Sequence, residues 1–389
     1  MGATQRCGAV VLRQARKLLL AVAVALPSTA ATRPVRDLAR QHSLCLACGG
    51  PDGRTLLTSD EVRAEQRWLE TFHRLRLRSS DADVSDDAST RPDPADDAGA
   101  NDAKDRASFT QSESRTIVAC TACATVLRVP RPSPDEVEDT YARDRYGRAT
   151  LDELAKNQDA FFTAKLAQLA SQLAPIRTGA RVLEIGSFVG GFLHAACARG
   201  WRATGVDVGE ETTRYVRERG FDVRRGDVLD LDLAPGFAAA FVWSTFDQLG
   251  EPSAVLDRVR ALLAPHGLLV LRVPNGRFET ACLELRRAAR RTRRLHHVLL
   301  AQAYDNFVSF PYLTGYTPES LAGLLEAHGF ACRHVGGDTI LRLADARTRR
   351  FAVREEERVK RAVRRACRDA ARVTGLLFDP WLDVVARSA

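Results

Sequence analysis

One stretch constrains this chain more than any other: Arg181-Val-Leu-Glu-Ile-Gly-Ser-Phe-Val-Gly-Gly-Phe-Leu-His194, followed by Trp201-Arg-Ala-Thr-Gly-Val-Asp207. It reads as an apolar strand, a glycine turn, a helix and a second strand ending in a carboxylate. Glycines at 186 and 190 permit a tight turn and let main-chain N–H groups approach a ligand that a Cβ would obstruct. Asp207 stands where a carboxylate can accept from both hydroxyls of a ribose. The pattern implies a nucleoside-bearing ligand, but not the dinucleotide kind. Phe188 occupies the place of a middle glycine, and Glu184 precedes the turn. A pyrophosphate favours uncovered N–H groups with no carboxylate beside them. An NAD-dependent oxidoreductase is therefore the weaker reading, and a ligand carrying an amino acid and a sulfonium tolerates Glu184.

Residues 178–275 resemble class I S-adenosylmethionine-dependent methyltransferases, especially a bacterial subfamily whose loop reads Glu-x-Gly-Ser-Phe-x-Gly-Gly-Phe-Leu. The resemblance implies an α/β fold: a Rossmann-like sheet, mostly parallel with an antiparallel edge strand, plus a small N-terminal zinc-ribbon-like lobe. It implies S-adenosylmethionine as cofactor, with Glu184, Gly186, Ser187 and Gly190 around the methionine half and Asp207 on the ribose. Asp227 of Arg225-Gly-Asp-Val would sit beside the adenine, and Trp243 to Asp247 would form the wall after the fourth strand. The chain departs from the family at Phe188, which must point away from the cofactor or line its pocket. Relatives often carry Glu-His where this chain has Asp247-Gln248, so no acid–base role transfers to that pair from the resemblance.

At 389 residues the chain exceeds one ordinary domain. Residues 1–38 read as an N-terminal extension. Arg13, Arg16 and Lys17 before the apolar Leu18–Leu26 give it the outline of a secretory signal, but the cofactor pattern behind it favours a cytoplasmic protein. No other run of eighteen or more apolar residues occurs, which argues against an integral membrane enzyme. Cys45-Leu-Ala-Cys48 and Cys120-Thr-Ala-Cys123 are two knuckles able to place four thiolates on one tetrahedral ion, which predicts structural Zn2+ in a lobe over residues 39–130. Disulfides become the better reading only in an exported protein. Between the knuckles, Asp81–Asp105 carries nine aspartates against Arg91 and Lys104. Such a segment, about 78–112, cannot bury enough apolar surface to fold and reads as a disordered insertion. Closing a long loop costs only logarithmically more, so the lobe can tolerate it.

Residues 131–176 read as a linker and helix, with Tyr141 and Tyr146 either closing over substrate or packing the linker down. The methyltransferase domain is assigned to 177–346. Its expected elements are helices over 211–219 and 254–263, a strand over 268–273, a helix from Pro318 to Gly329, and strands over 331–335 and 339–343 supplying the antiparallel edge. A cap is assigned to about 276–316, and 347–389 to a basic C-terminal helix and tail.

Substrate recognition is assigned to the cap, with its arginines and aromatics. Transfer from a sulfonium needs chiefly alignment of the acceptor. A general base is required only where the acceptor must lose a proton. His297 is the preferred base, then His296, with Asp247 and Tyr304 as secondary candidates. The net charge of +8 and the series Arg347–Arg372 permit RNA or anionic-membrane binding. The basic residues are not interleaved with aromatics that could stack bases, so nucleic acid is the less favoured partner. The leading reading is methyl transfer to a small molecule such as a sugar or secondary metabolite, at oxygen, nitrogen or carbon. An RNA or protein methyltransferase and a non-catalytic cofactor-binding scaffold are the alternatives. The oligomeric state is not legible.

Overall fold

The computed structural model describes residues 34–35, 45–67, 115–133, 136, 141, 146–283, 306–309, 312–339 and 351–389. The acidic insertion, most of the N-terminal extension, and three of the candidate bases, His296, His297 and Tyr304, lie outside the described residues.

The lobe is an antiparallel sheet of β1 (Pro34–Val35), β2 (Gly53–Leu57), β3 (Thr116–Cys120) and β4 (Val126–Val129), with helix α1 over residues 59–67. Alternation in β3 sorts its side chains onto two faces. Ile117 and Ala119 join Leu56, Leu57 and Val62, while Val118 and Cys120 join Cys45, Leu127 and Val129. Both faces are therefore covered.

The larger unit follows in chain order: α2 (Arg148–Gln168), β5 (Arg181–Ile185), α3 (Gly191–Ala198), β6 (Arg202–Asp207), α4 (Glu210–Glu218), β7 (Asp222–Arg225), β8 (Phe237–Trp243), α5 (Pro252–Leu262) and β9 (Leu263–Pro274). Next come α6, described over 276–283, then β10 (Thr314–Gly315), α7 (Pro318–Ala327), β11 (Phe330–Asp338), α8 (Phe351–Thr374) and β12 (Trp381–Ser388). Thr317 caps α7: its side chain accepts from Ser320 N–H while the Ser320 hydroxyl accepts from Thr317 N–H, a reciprocal box.

The seven-stranded sheet runs β11-β12-β9-β8-β5-β6-β7. The pairs from β9 through β7 are parallel. β12 is antiparallel to both β9 and β11. Helices α2, α3 and α4 cover one face through Phe162, Phe192 and Val216. Helices α5 and α7 cover the other through Val259 and Leu325. Alternation along β5 explains the division: Leu183 and Ile185 face α5, and Val182 faces α2.

The sequence reading of the C-terminal third needs correction. The antiparallel strand lies one place in from the edge, and it comes from residues 381–388, beyond the boundary drawn at 346. Residues 330–338 form the edge itself, and Thr339 stands outside any strand. A short apolar run such as Trp381-Leu-Asp-Val-Val-Ala does not reveal its type by periodicity. Its pairing along β9, from Trp381 opposite Pro274 to Arg387 opposite Leu268, decides it.

A buried ion quartet locks this strand. Lys165 Nζ donates to Asp338 Oδ2 at 2.6 Å and Asp383 Oδ2 at 2.8 Å, and Arg272 Nη1 donates to the same two carboxylates at 2.9 and 2.6 Å. Four elements, α2, β9, β11 and β12, meet there.

The lobe is built onto the larger unit. β10 pairs with β4 and extends the lobe sheet. Buried Arg128 of β4 donates to the carbonyls of Tyr312 and Phe307, and Thr317 Oγ1 donates to Cys123 O at 3.4 Å.

Candidate active site

The turn after β5 is shaped as its glycines suggest. Gly186 and Gly190 have φ of +80° and +77°, the left-handed region that costs other residues. A Cβ on Gly186 would lie 2.1 Å from Thr245 Oγ1, so the ends of β5 and β8 approach as closely as glycine allows. Arg219, the C-cap of α4, clamps the turn, donating from Nη1 to Val189 O at 2.7 Å and from Nη2 to Asp159 of α2 at 2.6 Å.

Phe188 also has positive φ, +45°. Its ring meets Tyr146 edge-on at 5.6 Å, and its N–H donates to Asp207 Oδ2 at 2.8 Å. The departure from a middle glycine is thus accommodated by an aromatic that packs the linker onto the turn. Tyr141 donates to Gln248 Oε1. Both linker tyrosines pack against the loops at the sheet's carboxyl edge.

Asp207 ends β6 as expected. Besides Phe188 N–H it accepts from Gly209 N–H at 2.9 Å and Thr212 Oγ1 at 3.3 Å. It therefore fixes the turn itself, holding the Phe188, Gly209 and Thr212 donors in place. Asp227 is exposed after β7 and accepts Leu229 N–H at 2.8 Å.

Glu184 and Ser187 are buried, and Glu184 Oε2 and Ser187 Oγ have no hydrogen-bond partner among the described residues. Burial, reinforced by the charge of Asp207, holds Glu184 well above the usual carboxylate range. Buried polar atoms without partners are rare and call for an occupant. Glu184 offers an acceptor for an ammonium and Ser187 a hydroxyl, beside a turn whose Gly186, Ser187, Phe188 and Gly190 N–H groups are held within the protein. These residues fit the amino-acid end of S-adenosylmethionine.

Trp243 ends β8 within the core, 5.5 Å from Phe162 and 5.9 Å from Phe241 ring to ring, and its Nε1 has no hydrogen-bond partner among the described residues. Asp247, in the short 3-10 turn that follows, is fully buried, and neither carboxylate oxygen has a partner among the described residues. Burial pushes it well above its ordinary range. Tyr316 Oη and Thr314 Oγ1, from the segment carrying β10, are likewise buried, with no partner beyond one another among the described residues. The Phe246 and Tyr316 rings lie 5.6 Å apart. Thr245 falls in the expected wall from Trp243 to Asp247, whereas Thr314, Tyr316 and Arg272 were missed in the sequence. Only Arg272 left a signal, a lone charge inside the apolar run Leu268–Val273.

The four knuckle cysteines converge, their sulfurs all within 4.8 Å of one another. Cys45 and Cys123 Sγ are 3.5 Å apart, and Cys48 and Cys120 Sγ 3.7 Å. Tetrahedral zinc with Zn–S of about 2.3 Å sets sulfurs about 3.8 Å apart, so the set fits Zn2+. Hydrogen bonding from Cys45 lowers Cys123 to about 4, while burial raises Cys48 to about 11. Of the remaining described cysteines, Cys197, Cys332 and Cys367 are free thiols. Among the described residues no helix is long and apolar enough to cross a membrane.

A methyltransferase-domain family model matches residues 155–335. Phosphoethanolamine N-methyltransferase 2 of Haemonchus contortus is similar at 16% identity and TM-score 0.43, over 68% of this chain and 62% of that one. The 1,6-didemethyltoxoflavin-N1-methyltransferase of Burkholderia thailandensis is similar at 19% and 0.37, over 71% and 96%. An S-adenosylmethionine-dependent methyltransferase of Archaeoglobus fulgidus is similar at 19% and 0.38, over 58% and 94%. A comparison with curated proteins returns no match. Residues 155–335 carry a methyltransferase domain, joined to a small four-cysteine lobe of the kind that binds zinc.

Proposed function

We propose that the protein methylates a small-molecule acceptor held at the carboxyl ends of β8 and β9, between the glycine turn and the lobe. The observation that carries this reading is the set of buried polar atoms on the edge of the sheet with no partner outside the set among the described residues: Glu184 Oε2, Ser187 Oγ, both oxygens of Asp247, Thr314 Oγ1 and Tyr316 Oη. Enclosure of Asp247, Thr314 and Tyr316 by β10 and the lobe strand it pairs with suits a small acceptor better than a polymer.

S-adenosylmethionine supplies a methyl group already activated on a sulfonium. Glu184, Gly186, Ser187 and Gly190 hold its methionine half, Asp207 its ribose and Asp227 the adenine edge. The chain's remaining task is to align the acceptor and exclude water. Asp247 is the described group best placed to take a proton from an acceptor hydroxyl or amine, because a carboxylate of raised pKa is a stronger base. His297, His296 and Tyr304 stay in reserve as bases from the cap. Zinc has a structural role, holding the lobe against the site. Four reduced thiols at metal-binding separations support a cytoplasmic location.

The test is transfer of labelled methyl from S-adenosylmethionine to a panel of sugars, amines and phenols, compared with total RNA and denatured protein as acceptors. Asp207→Ala is expected to weaken S-adenosylhomocysteine binding by about tenfold or more, the value of a lost bidentate hydrogen bond. Unchanged affinity would remove the ribose assignment. Labelling confined to RNA or protein would remove the small-molecule assignment.

A further inference from the structure

The ion quartet leaves one side of Arg272 unused. Its Nη1 serves Asp338 and Asp383, whereas Nε and Nη2 are buried with no partner among the described residues. Those two N–H groups point along one edge of the guanidinium plane and form the side-on fork that grips a carboxylate or phosphate with two parallel hydrogen bonds. Aromatic rings cover the guanidinium, with Phe161 at 5.5 Å and Trp381 at 5.0 Å from Cζ, so a partner must come in at the edge. The side chain is 1% exposed, and leaving buried donors unmet is costly.

A second donor stands beside it. Trp243 is the register partner of Arg272 in the parallel β8–β9 pair, and neighbours in register point to the same face. Both lie under α2: Trp243 packs on Phe162, and Arg272 on Phe161. Trp243 Nε1 is also buried with no partner among the described residues. Next along the same face, Glu184 of β5 is paired in register with Phe241 of β8, and its Oε2 is likewise without one. The edge therefore presents one acceptor on β5 and, on β8 and β9, three N–H groups that can only donate. Glu184 is level with Val270, so Arg272 lies two strand spacings across, about 9.5 Å, and two residues, about 6.6 Å, nearer the carboxyl end. The long Glu184 and Arg272 side chains close part of that span, and an α-amino acid bridges the rest, with its ammonium on the carboxylate and its own carboxylate on the donors.

We propose that Arg272 and Trp243 form a donor-only subsite for an oxyanion, a carboxylate or phosphate, at the carboxyl ends of β8 and β9. The proposal rests on the cofactor reading above and deepens it. The spacing from Glu184 favours the cofactor's own amino-acid carboxylate, and an acidic group of the acceptor is the other source of the same chemistry. Asp338 and Asp383 keep the guanidinium charged and fixed, so the fork is presented without reorganisation.

The test uses the full zinc-loaded chain with 15N-labelled arginine. The Arg272 Nε–H resonance is identified by its loss in Arg272→Lys or, should that variant not fold, by its displacement in Trp243→Phe. It is followed during separate additions of S-adenosylhomocysteine, 5′-methylthioadenosine, inorganic phosphate and acetate, with sodium chloride as control, and the heat of nucleoside binding is recorded in parallel. A shift with S-adenosylhomocysteine and none with 5′-methylthioadenosine, which lacks the carboxylate, assigns the subsite to the cofactor. Trp243→Phe should then weaken S-adenosylhomocysteine about tenfold, one charged hydrogen bond, and leave 5′-methylthioadenosine unchanged. A shift with phosphate or acetate alone assigns it to the acceptor. Normal nucleoside binding with no shift from any addition overturns the subsite and leaves the methyltransferase reading standing, the fork then being met by water. If neither nucleoside binds, the cofactor reading itself fails, and the phosphate and acetate additions alone decide the subsite.

Discussion

Asp383→Asn tests how the last strand is held. Lys165, Arg272 and Asp383 have side chains 2%, 1% and 3% exposed, and Asp338 is 11% exposed. Two cations share two carboxylates, so the cluster is neutral and almost dry. Replacing Asp383 by the isosteric amide leaves both cations on Asp338, a net buried charge of one. Removing one partner of a buried pair costs about 3–5 kcal/mol, a large share of a typical stability of about 5–15 kcal/mol. Lys165→Met leaves the opposite imbalance at similar cost. The double variant restores neutrality through Arg272 and Asp338, so its loss should fall short of the sum by about 1–3 kcal/mol. Urea unfolding followed by circular dichroism and by tryptophan fluorescence measures this directly, because Trp381 begins the affected strand. Added salt should not rescue a site so little exposed to solvent. Strict additivity, or a loss below about 0.5 kcal/mol for Asp383→Asn, the range of ordinary surface changes, would refute the argument.

Three further outcomes are expected. Gly186→Ala should cost about 1–2 kcal/mol for the left-handed backbone and about 1–3 kcal/mol for overlap with Thr245. Thr245→Gly should restore only the second part, read as thermal stability and S-adenosylhomocysteine affinity. Asp247 has a raised native pKa, so its ionisation is harder in the folded than in the unfolded chain. Its contribution must therefore become less favourable as pH rises above about 4, by up to about 1.4 kcal/mol per pH unit until the native pKa is passed. Urea titrations of wild type and Asp247→Asn across that range should diverge with this sign, and parallel curves would show an unperturbed carboxyl. Chelation should strip one zinc per chain and melt the lobe, since structural zinc contributes about 10–16 kcal/mol of apparent binding energy to folding. A metal-free protein with four reduced thiols and an unchanged melting curve would contradict the lobe assignment.

The cofactor turn was legible because its signal is local. Glu184, Gly186, Ser187, Gly190 and Asp207 owe their meaning to spacing along one strand–turn–helix–strand unit, and that unit folds as read. The cysteine pairs were legible for the same reason, although 71 residues separate Cys48 from Cys120 by number, because two-residue knuckles declare themselves. The identity of the antiparallel strand was not local. β12 follows a long basic helix, and its place between β9 and β11 is settled by pairing with residues more than a hundred positions earlier.

Lone charges in apolar strands carried more information than the apolar runs around them. Arg272 in Leu-Leu-Val-Leu-Arg-Val-Pro and Asp383 in Trp-Leu-Asp-Val-Val each break a buried strand. A buried charge needs a partner, and each is the other's. Periodicity sees such a residue as noise; the energetics of burial make it a contact prediction. The pocket around Asp247 shows the opposite limit. Asp247 was a named candidate, but Tyr316 and Thr314 reach it from the far side of the cap, and nothing in their neighbouring sequence marks that encounter.

The most direct test of the central claim is calorimetric titration of the zinc-loaded protein with S-adenosylmethionine, S-adenosylhomocysteine and NADH in parallel. Saturable one-to-one binding of the first two, with none of NADH, is the predicted result. Selective binding of NADH would contradict it.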